Sequence, residues 1–456
     1  MLPRFVALAA LVPLFGCAQG SELPDFTSGA GASLAASSAS SSSSASSTGT
    51  GGAGGGMGTG GAGGGAGGMG GTGGAGGGSG GMGAGGAGGM AGAGGMGGAG
   101  GAGGSGGAGG MGGAGGGNPT GTMLVLAGPG AGEAHYDPAA GWATGSINLQ
   151  FSAAGLAPRA EGVVAVLRRQ SANAAENNEL FWATWTKAGG FGAVQKVGSF
   201  GFAQDGPAAS PLGVATLMTF LGTDNKHYFA QHEGGAFGPF GPLPAGMVQF
   251  QAFGPSATAL ASDGAAGVYA VYAGDDAHLY HLAKIGPGSA WTPSAQIPTS
   301  LVANWLRPFV LVDADQDVRI FYVRQGDNRI CMVKLTTPQN TWSAEETVGT
   351  ATTGLSPAVA ATTAGDFVVA YRGVLNDGIY FVRGKDGAWG AATTIEVPQT
   401  PSSMPVVLPG LSGADAEIVY TTGGTLKHAR IHGAQATLAA VPGVANVTHV
   451  AATIVP

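Results

Sequence analysis

Residues 367–389 read FVVAYRGVLNDGIYFVRGKDGAW. An apolar run at 368–371 ends in the aromatic Tyr371, a polar turn follows at Asn376-Asp377, and a second apolar run, Ile379-Tyr380-Phe381, leads through a glycine-rich turn to Trp389. Segments this short, rich in β-branched and aromatic residues and separated by turn formers, are strands joined by hairpins and not helix.

The same frame recurs on both sides. Residues 320–322 are followed by Asp327-Asn328, Ile330-Cys331-Met332 and Trp342; residues 268–272 are followed by Asp275-Asp276, Leu279-Tyr280-His281 and Trp291. Looser copies hold Phe220 with His227-Tyr228-Phe229, and Tyr420 with Leu426-Lys427-His428, while an earlier one pairs Val166-Leu167 with Leu180-Phe181-Trp182 across a longer loop. The strand-end aromatic therefore steps from Phe220 to Tyr272, Tyr322, Tyr371 and Tyr420 at intervals of 52, 50, 49 and 49 residues.

Each copy opens with a further apolar strand, at 257–260, 309–312 and 357–361, which makes four strands per unit. A period near fifty residues with four short strands is the signature of a propeller blade. Alternation within the strands is loose because inner blade strands are covered on both faces. Residues 448–455 look like an opening strand that nothing follows, and residues 122–126, 134–137 and 142–149 look like three strands of a unit that lacks its first. Joining the two ends would remove the exposed edges of an open array. These features predict an all-β domain with almost no helix over residues 119–456: a seven-bladed β-propeller, six or eight blades being the alternatives, closed between its N- and C-terminal strands.

The turns LGTDNKHYF (221–229), AGDDAHLYH (273–281) and RQGDNRICM (324–332) are similar to repeats of bacterial and fungal fucose-binding propeller lectins, and more loosely to sialidase-like propellers, over most of residues 163–444. The resemblance implies sugar sites between blades, on aromatic faces, with arginines and acids taking the hydroxyls. The matching positions are Trp291, Trp342 and Trp389 as platforms and Arg324, Arg372 and Arg383 as hydroxyl donors. The second unit carries Phe237 or Phe240 in place of the tryptophan, and the sixth has lost it. The same aromatic residues also serve as packing in the seams between blades.

Other groupings point away from chemistry. Asp313, Asp315 and Asp317 alternate as in a calcium loop, but Val318 and Arg324 stand where such a loop needs glycine and glutamate, so a solvated turn is expected. The eight histidines show no pair backed by a third metal ligand, and Cys331, between Ile330 and Met332, reads as a buried inert thiol. No nucleophile elbow, phosphate loop, zinc helix or aspartate-box repeat is present, so neither an enzyme nor a cofactor is expected.

Residues 1–17, MLPRFVALAALVPLFGC, pair one arginine with an apolar run too short to span a bilayer. Gly16 before Cys17, with Leu14 ahead, resembles a bacterial lipobox, which implies acylation of Cys17 as a membrane anchor; Ala18 after it implies the outer membrane, facing the surface or the periplasm. Residues 18–118 then form a tether of Ser, Ala and Gly, and over 28–117 it holds no charge, aromatic or proline. Nothing in it offsets the entropy of ordering, and some 90 flexible residues reach about 50 Å. With Arg4, Glu22 and Asp25 set aside, the remaining charges are 17 basic and 23 acidic, which argues against nucleic acid as a partner. The leading expectation is a lipid-anchored recognition module for a glycan. The alternatives are a surface scaffold that binds a protein, and a degenerate glycoside hydrolase.

Overall fold

The computed structural model describes residues 120–456, apart from 199–200, 245–255, 304–305, 338, 399 and 401. The signal segment, Cys17 and the tether lie outside the described residues. Those described contain strands, turns and bends but no helix.

Five sheets stand alone as blades. Blade A is Ala208–Leu212, Ala215–Leu221, His227–Glu233 and Ala236–Phe237, with Gly241–Pro242 as a second outer piece. Blade B is Ala259–Ser262, Val268–Ala273, Leu279–Lys284 and Ala295–Gln296; blade C is Phe309–Val312, Val318–Val323, Arg329–Thr336 and Thr341–Trp342, with Glu346–Thr352. Blade D is Ala358–Ala361, Phe367–Arg372, Ile379–Lys385 and Ala388–Trp389, with Thr393–Glu396; blade E is Val406–Pro409, Ala416–Thr422, Thr425–His432 and Gln435–Ala445. All pairings are antiparallel, and the second and third strands of each blade form a hairpin. The remaining strands form one eight-stranded closing sheet, in the order His449–Val455, Thr122–Gly128, Gly130–Asp137, Gly141–Arg159, Gly162–Arg169, Leu180–Thr186 and Gly190–Phe191, with Gln195–Lys196 at its edge.

The propeller is thus all-β, but the expected count of seven separate blades, with six or eight as alternatives, is corrected: five blades are separate, and the rest is the closing sheet. The physical cause is Gly141–Arg159, one strand of 19 residues. A strand end was expected near Leu149, yet Gln150 to Ala153 contain no proline, glycine, asparagine or aspartate, and pairing with the following strand begins at Phe151 and Ala153. Phe151, fully buried, pairs with Gly130 on one side and Arg169 on the other, with a bulge beside it in each ladder. The last strand pairs with the first throughout, from Thr122 opposite Val455 to Gly128 opposite His449.

The ring runs through the innermost strands. The first strands of blades A to E pack side by side, blade E's packs on His449–Val455, and Gly141–Arg159 lies between that strand and blade A. Second strands are enclosed on both faces, so Ala215–Leu221, Val318–Val323 and Ala416–Thr422 are buried at every position. Two charges inside them are paired. Arg319 donates to Asp313 and, across the seam, to Asp386, both at 2.6 Å, and Glu417 accepts from Arg430 at 3.2 Å and pairs with His428 at 2.8 Å. Asp313 and Asp317 are consequently buried and not solvated as expected: Asp313 also accepts the amides of Asp315 and Asp317, and Asp317 accepts the Thr337 amide.

At the opposite end of the strands, each hairpin between second and third strands holds a residue in the left-handed region. In four of them its carbonyl accepts an amide of the segment that follows the blade: Asn178 from Ala203 (2.9 Å), Ala277 from Val302 (2.8 Å), Asn328 from Thr353 (2.9 Å) and Gly424 from Val447 (3.0 Å). Ala277 is the misfit, since at φ 61° an alanine Cβ crowds its own carbonyl at a cost of about 1–2 kcal/mol. Ala277→Gly is therefore expected to stabilise the protein by about 1 kcal/mol in urea unfolding.

Candidate functional site

The hairpin of blade A builds a cleft. Strand Ala215–Leu221 carries Phe220 to its end, and the turn that follows closes with the Gly222 amide donating to the Lys226 carbonyl at 2.8 Å. Tyr228, opposite Phe220 in the ladder, folds back over Gly222, where a Cβ would lie 2.9 Å from the ring, so only glycine fits beneath it. Phe220 and Tyr228 stack at 5.4 Å, and the Tyr228 hydroxyl donates to Asp224 Oδ2 at 2.7 Å. The outer segment Phe237-Gly238-Pro239-Phe240, held by the pairing of Gly241–Pro242 with Tyr228 and Phe229, brings Phe240 edge-on to Phe220 at 5.0 Å. Phe202, more than a third exposed, approaches from the linker.

Together these residues line a cleft of about 680 Å³, with Gly198, Gly222, Thr223 and Asp224 completing its wall. Its chemistry is aromatic faces beside one carboxylate. Partial burial pushes the Asp224 carboxyl up, but the Tyr228 hydroxyl, the Lys226 amide and the Lys226 charge outweigh it and hold the group below the ordinary carboxylate range. The Tyr228 phenol is correspondingly raised, first by its bond to Asp224. The arrangement suits a neutral ring with one apolar face for the aromatics and hydroxyls for an ionised acceptor.

None of the six residues expected from sequence lines this cleft. The tryptophans pack half-buried against the blade before their own: Trp291 edge-on to Phe229 at 5.6 Å, Trp342 to His281 at 5.1 Å, and Trp389 to Phe321 at 6.3 Å, with its Nε1 donating to Glu346 at 3.2 Å. The arginines are engaged by the protein. Arg324 holds Asp327 and Glu345, Arg372 holds Asp377 and the Ser402 carbonyl, and Arg383 joins Asp366 to Asp415 of the next blade. Only Arg383 neighbours a platform, since Trp389 pairs with the adjacent Gly384. Arg324 sits at the far end of the strand that pairs with Trp342 at Leu335, roughly 20 Å away at 3.3 Å per residue.

Among the described residues no group of three or more metal-capable side chains converges. Cys331 is fully buried, and burial with the nearby Glu345 pushes its thiol up to about 12.

No family model matches the sequence, and no curated protein does. Solved structures do match in fold. The BP39L lectin from Burkholderia pseudomallei superposes with a TM-score of 0.57 at 13% identity, over 73% of this chain and 98% of that one. The lectin of Aleuria aurantia, described as a six-bladed β-propeller with a fucose recognition mode, gives 0.43 at 15% identity, over 63% and 94%. AofleA from Arthrobotrys oligospora gives 0.43 at 13%, over 66% and 89%. At these identities the likeness is one of fold, and the fold is that of a β-propeller.

Beneath the cleft hairpin, His227 is buried with its ring 4.4 Å from Tyr272 of blade B and its Nε2 donating to the Ser256 carbonyl at 2.8 Å. Burial, aided by the nearby Arg307 charge and only partly opposed by the Ser256 bond, pushes its pKa down from 6.5 to about 4. The unfolded chain therefore binds the extra proton first: the contribution is intact above pH 6.5 and is lost as pH falls toward 4. Urea unfolding should show about 2 kcal/mol less stability at pH 5 than at pH 7.5 from this group, a difference that His227→Gln should abolish.

Proposed function

We propose that the folded region is a lectin-like recognition module that binds a carbohydrate in the blade A cleft. The observation that carries this reading is the meeting of Phe202, Phe220, Tyr228, Phe237 and Phe240 with the single ionised carboxylate of Asp224. Sugars bind such surfaces because their C–H faces are apolar while their rims are hydrogen-bond donors. The fold likeness to a protein named as a lectin supports the reading without fixing the ligand. In this proposal the acylated Cys17 holds the module on the outer membrane and the glycine tether carries it clear of the lipid. Docking of a protein is the second reading, favoured by Leu375, 98% exposed on the blade D hairpin.

A glycan array on the purified protein separates the two, since silence across neutral and anionic sugars would leave only the second. Phe240→Ala should weaken glycan binding by about tenfold, one lost aromatic contact, and Asp224→Ala by more, whereas Trp342→Ala should cost stability and leave affinity unchanged. Cys17→Ser should move the protein from the membrane fraction to the soluble fraction and end labelling by a fatty-acid analogue; retention in the membrane would remove the anchor.

A further inference from the structure

We propose that the blade A cleft is the one carbohydrate site among the described residues, because the matching corners elsewhere either lack the platform ring or are filled by an arginine of the chain itself; this rests on the carbohydrate reading above. The corners can be compared through their ladders. Tyr272 faces Tyr280 and Tyr371 faces Tyr380, as Phe220 faces Tyr228, and two residues on stand Gly274 and Gly373, as Gly222 does. The ring stacks at 5.6 and 5.7 Å, and it meets Asp276 at 2.7 Å or Asn376 at 2.6 Å. Blades B and D thus repeat the inner half of the cleft.

They lack the outer half. Phe240 is the third residue after Phe237, the aromatic on the outer strand; the third residue after Trp291 is Ser294, which bonds the Tyr272 hydroxyl at 3.1 Å, and after Trp389 it is Ala392. Without a ring there, a sugar has one wall to lie on and not two.

Blade E sets Lys427, not a ring, opposite Tyr420, and blade C and the closing sheet differ in kind. The residue two places after the strand end is Arg324 after Tyr322 and Arg169 after Leu167, where blades A, B and D have glycine. Each guanidinium is pinned by two carboxylates: Arg324 by Asp327 at 2.6 Å and Glu345 at 2.8 Å, and Arg169 by Glu176 at 2.7 Å and Glu179 at 3.5 Å. Glu345 is itself the third residue after Trp342, so it stands where Phe240 stands in blade A. Arg169 also lies over the Phe181 ring at 5.7 Å. A planar cation on a ring, bonded to acids at its rim, satisfies internally the groups that a sugar would engage, and a neutral hydroxyl competes poorly with charge-assisted pairs.

The test is calorimetric titration of the full chain with methyl α-L-fucoside, methyl β-D-galactoside and methyl α-D-mannoside. The expected result is one site per chain, lost at least tenfold in Phe240→Ala/Asp224→Ala, and a second, weaker site in Ser294→Phe, which supplies blade B with the outer ring it lacks, shown by circular dichroism to be folded. Two or more sites in the unaltered protein, binding that survives the cleft variant, or a single site in the folded Ser294→Phe protein would each overturn the single-site proposal while leaving carbohydrate binding intact. No heat with any glycoside together with a silent array would overturn both.

Discussion

The ring depends on one backbone hydrogen bond repeated from blade to blade: the carbonyl of a left-handed hairpin residue accepting the amide of the segment that enters the next blade. Asn178, Ala277, Asn328 and Gly424 supply that carbonyl, at φ of 71°, 61°, 56° and 76°. In blade D the Asp377 carbonyl, at φ 54°, accepts instead from the Ser402 hydroxyl at 2.5 Å. Only a residue at positive φ turns its carbonyl away from its own ladder at that point, which is why asparagine and glycine dominate the position. The entering segment then bridges forward to the next second strand, Ala203 to Gly222, Val302 to Arg324, Thr353 to Gly373 and Ser402 to Thr422. Each linker is therefore fixed at both ends, and the pitch of the ring is set by backbone, independent of which side chains fill the corner.

That independence lets one corner become a cleft while others are filled. In blades A, B and D the strand-end aromatic, the ring opposite it, the hairpin Asp or Asn and the glycine two positions on stand in the same relation. Side chains then decide the outcome: glycine under tyrosine leaves room, and arginine takes it. The three arginines expected to meet a ligand are used this way or as links across seams, and the three tryptophans are seam packing. Their aromatic area is largely spent on neighbouring rings, as at Trp291 against Phe229.

The repeat was legible in the sequence because second strands enclosed on both faces read as unbroken apolar runs, and because the end aromatics return every fifty residues or so. The meeting of the two chain ends was legible for the same reason, each half-unit lacking what the other supplied. The merged closing sheet was not, since no residue between Leu149 and Ala153 announces a strand that serves two neighbours at once. The cleft was half legible. The turn 221–229 was marked, but Phe202, Asp224 and Phe240 come from a linker, a hairpin and an outer strand, and their convergence is set by the corner bond and not by spacing. The burial of Asp313 was hidden too, because its partner Arg319 lies in what reads as an apolar strand and its second link, Asp386, is 67 residues further on.

The two ends of the propeller are held by different physics. At the end bearing the first hairpins, charged side chains cross the seams: Arg159 to the Gly213 carbonyl at 3.0 Å, Arg319 to Asp386, and Arg383 to Asp415 at 2.8 Å. Of these groups only the Arg319 guanidinium is buried, so losing its partners would leave an uncompensated charge, while the more exposed Arg159 and Arg383 contacts add little net stability and serve to fix register. At the cleft end main-chain bonds join most linkers to their hairpins, assisted by Arg168 on the Gln204 carbonyl at 2.7 Å and Arg372 on the Ser402 carbonyl at 2.8 Å, while the lining of the blade A cleft holds no arginine. A cleft with one carboxylate and no guanidinium favours a neutral ligand because an anion would meet Asp224 unopposed except by the exposed Lys226, 3.6 Å away.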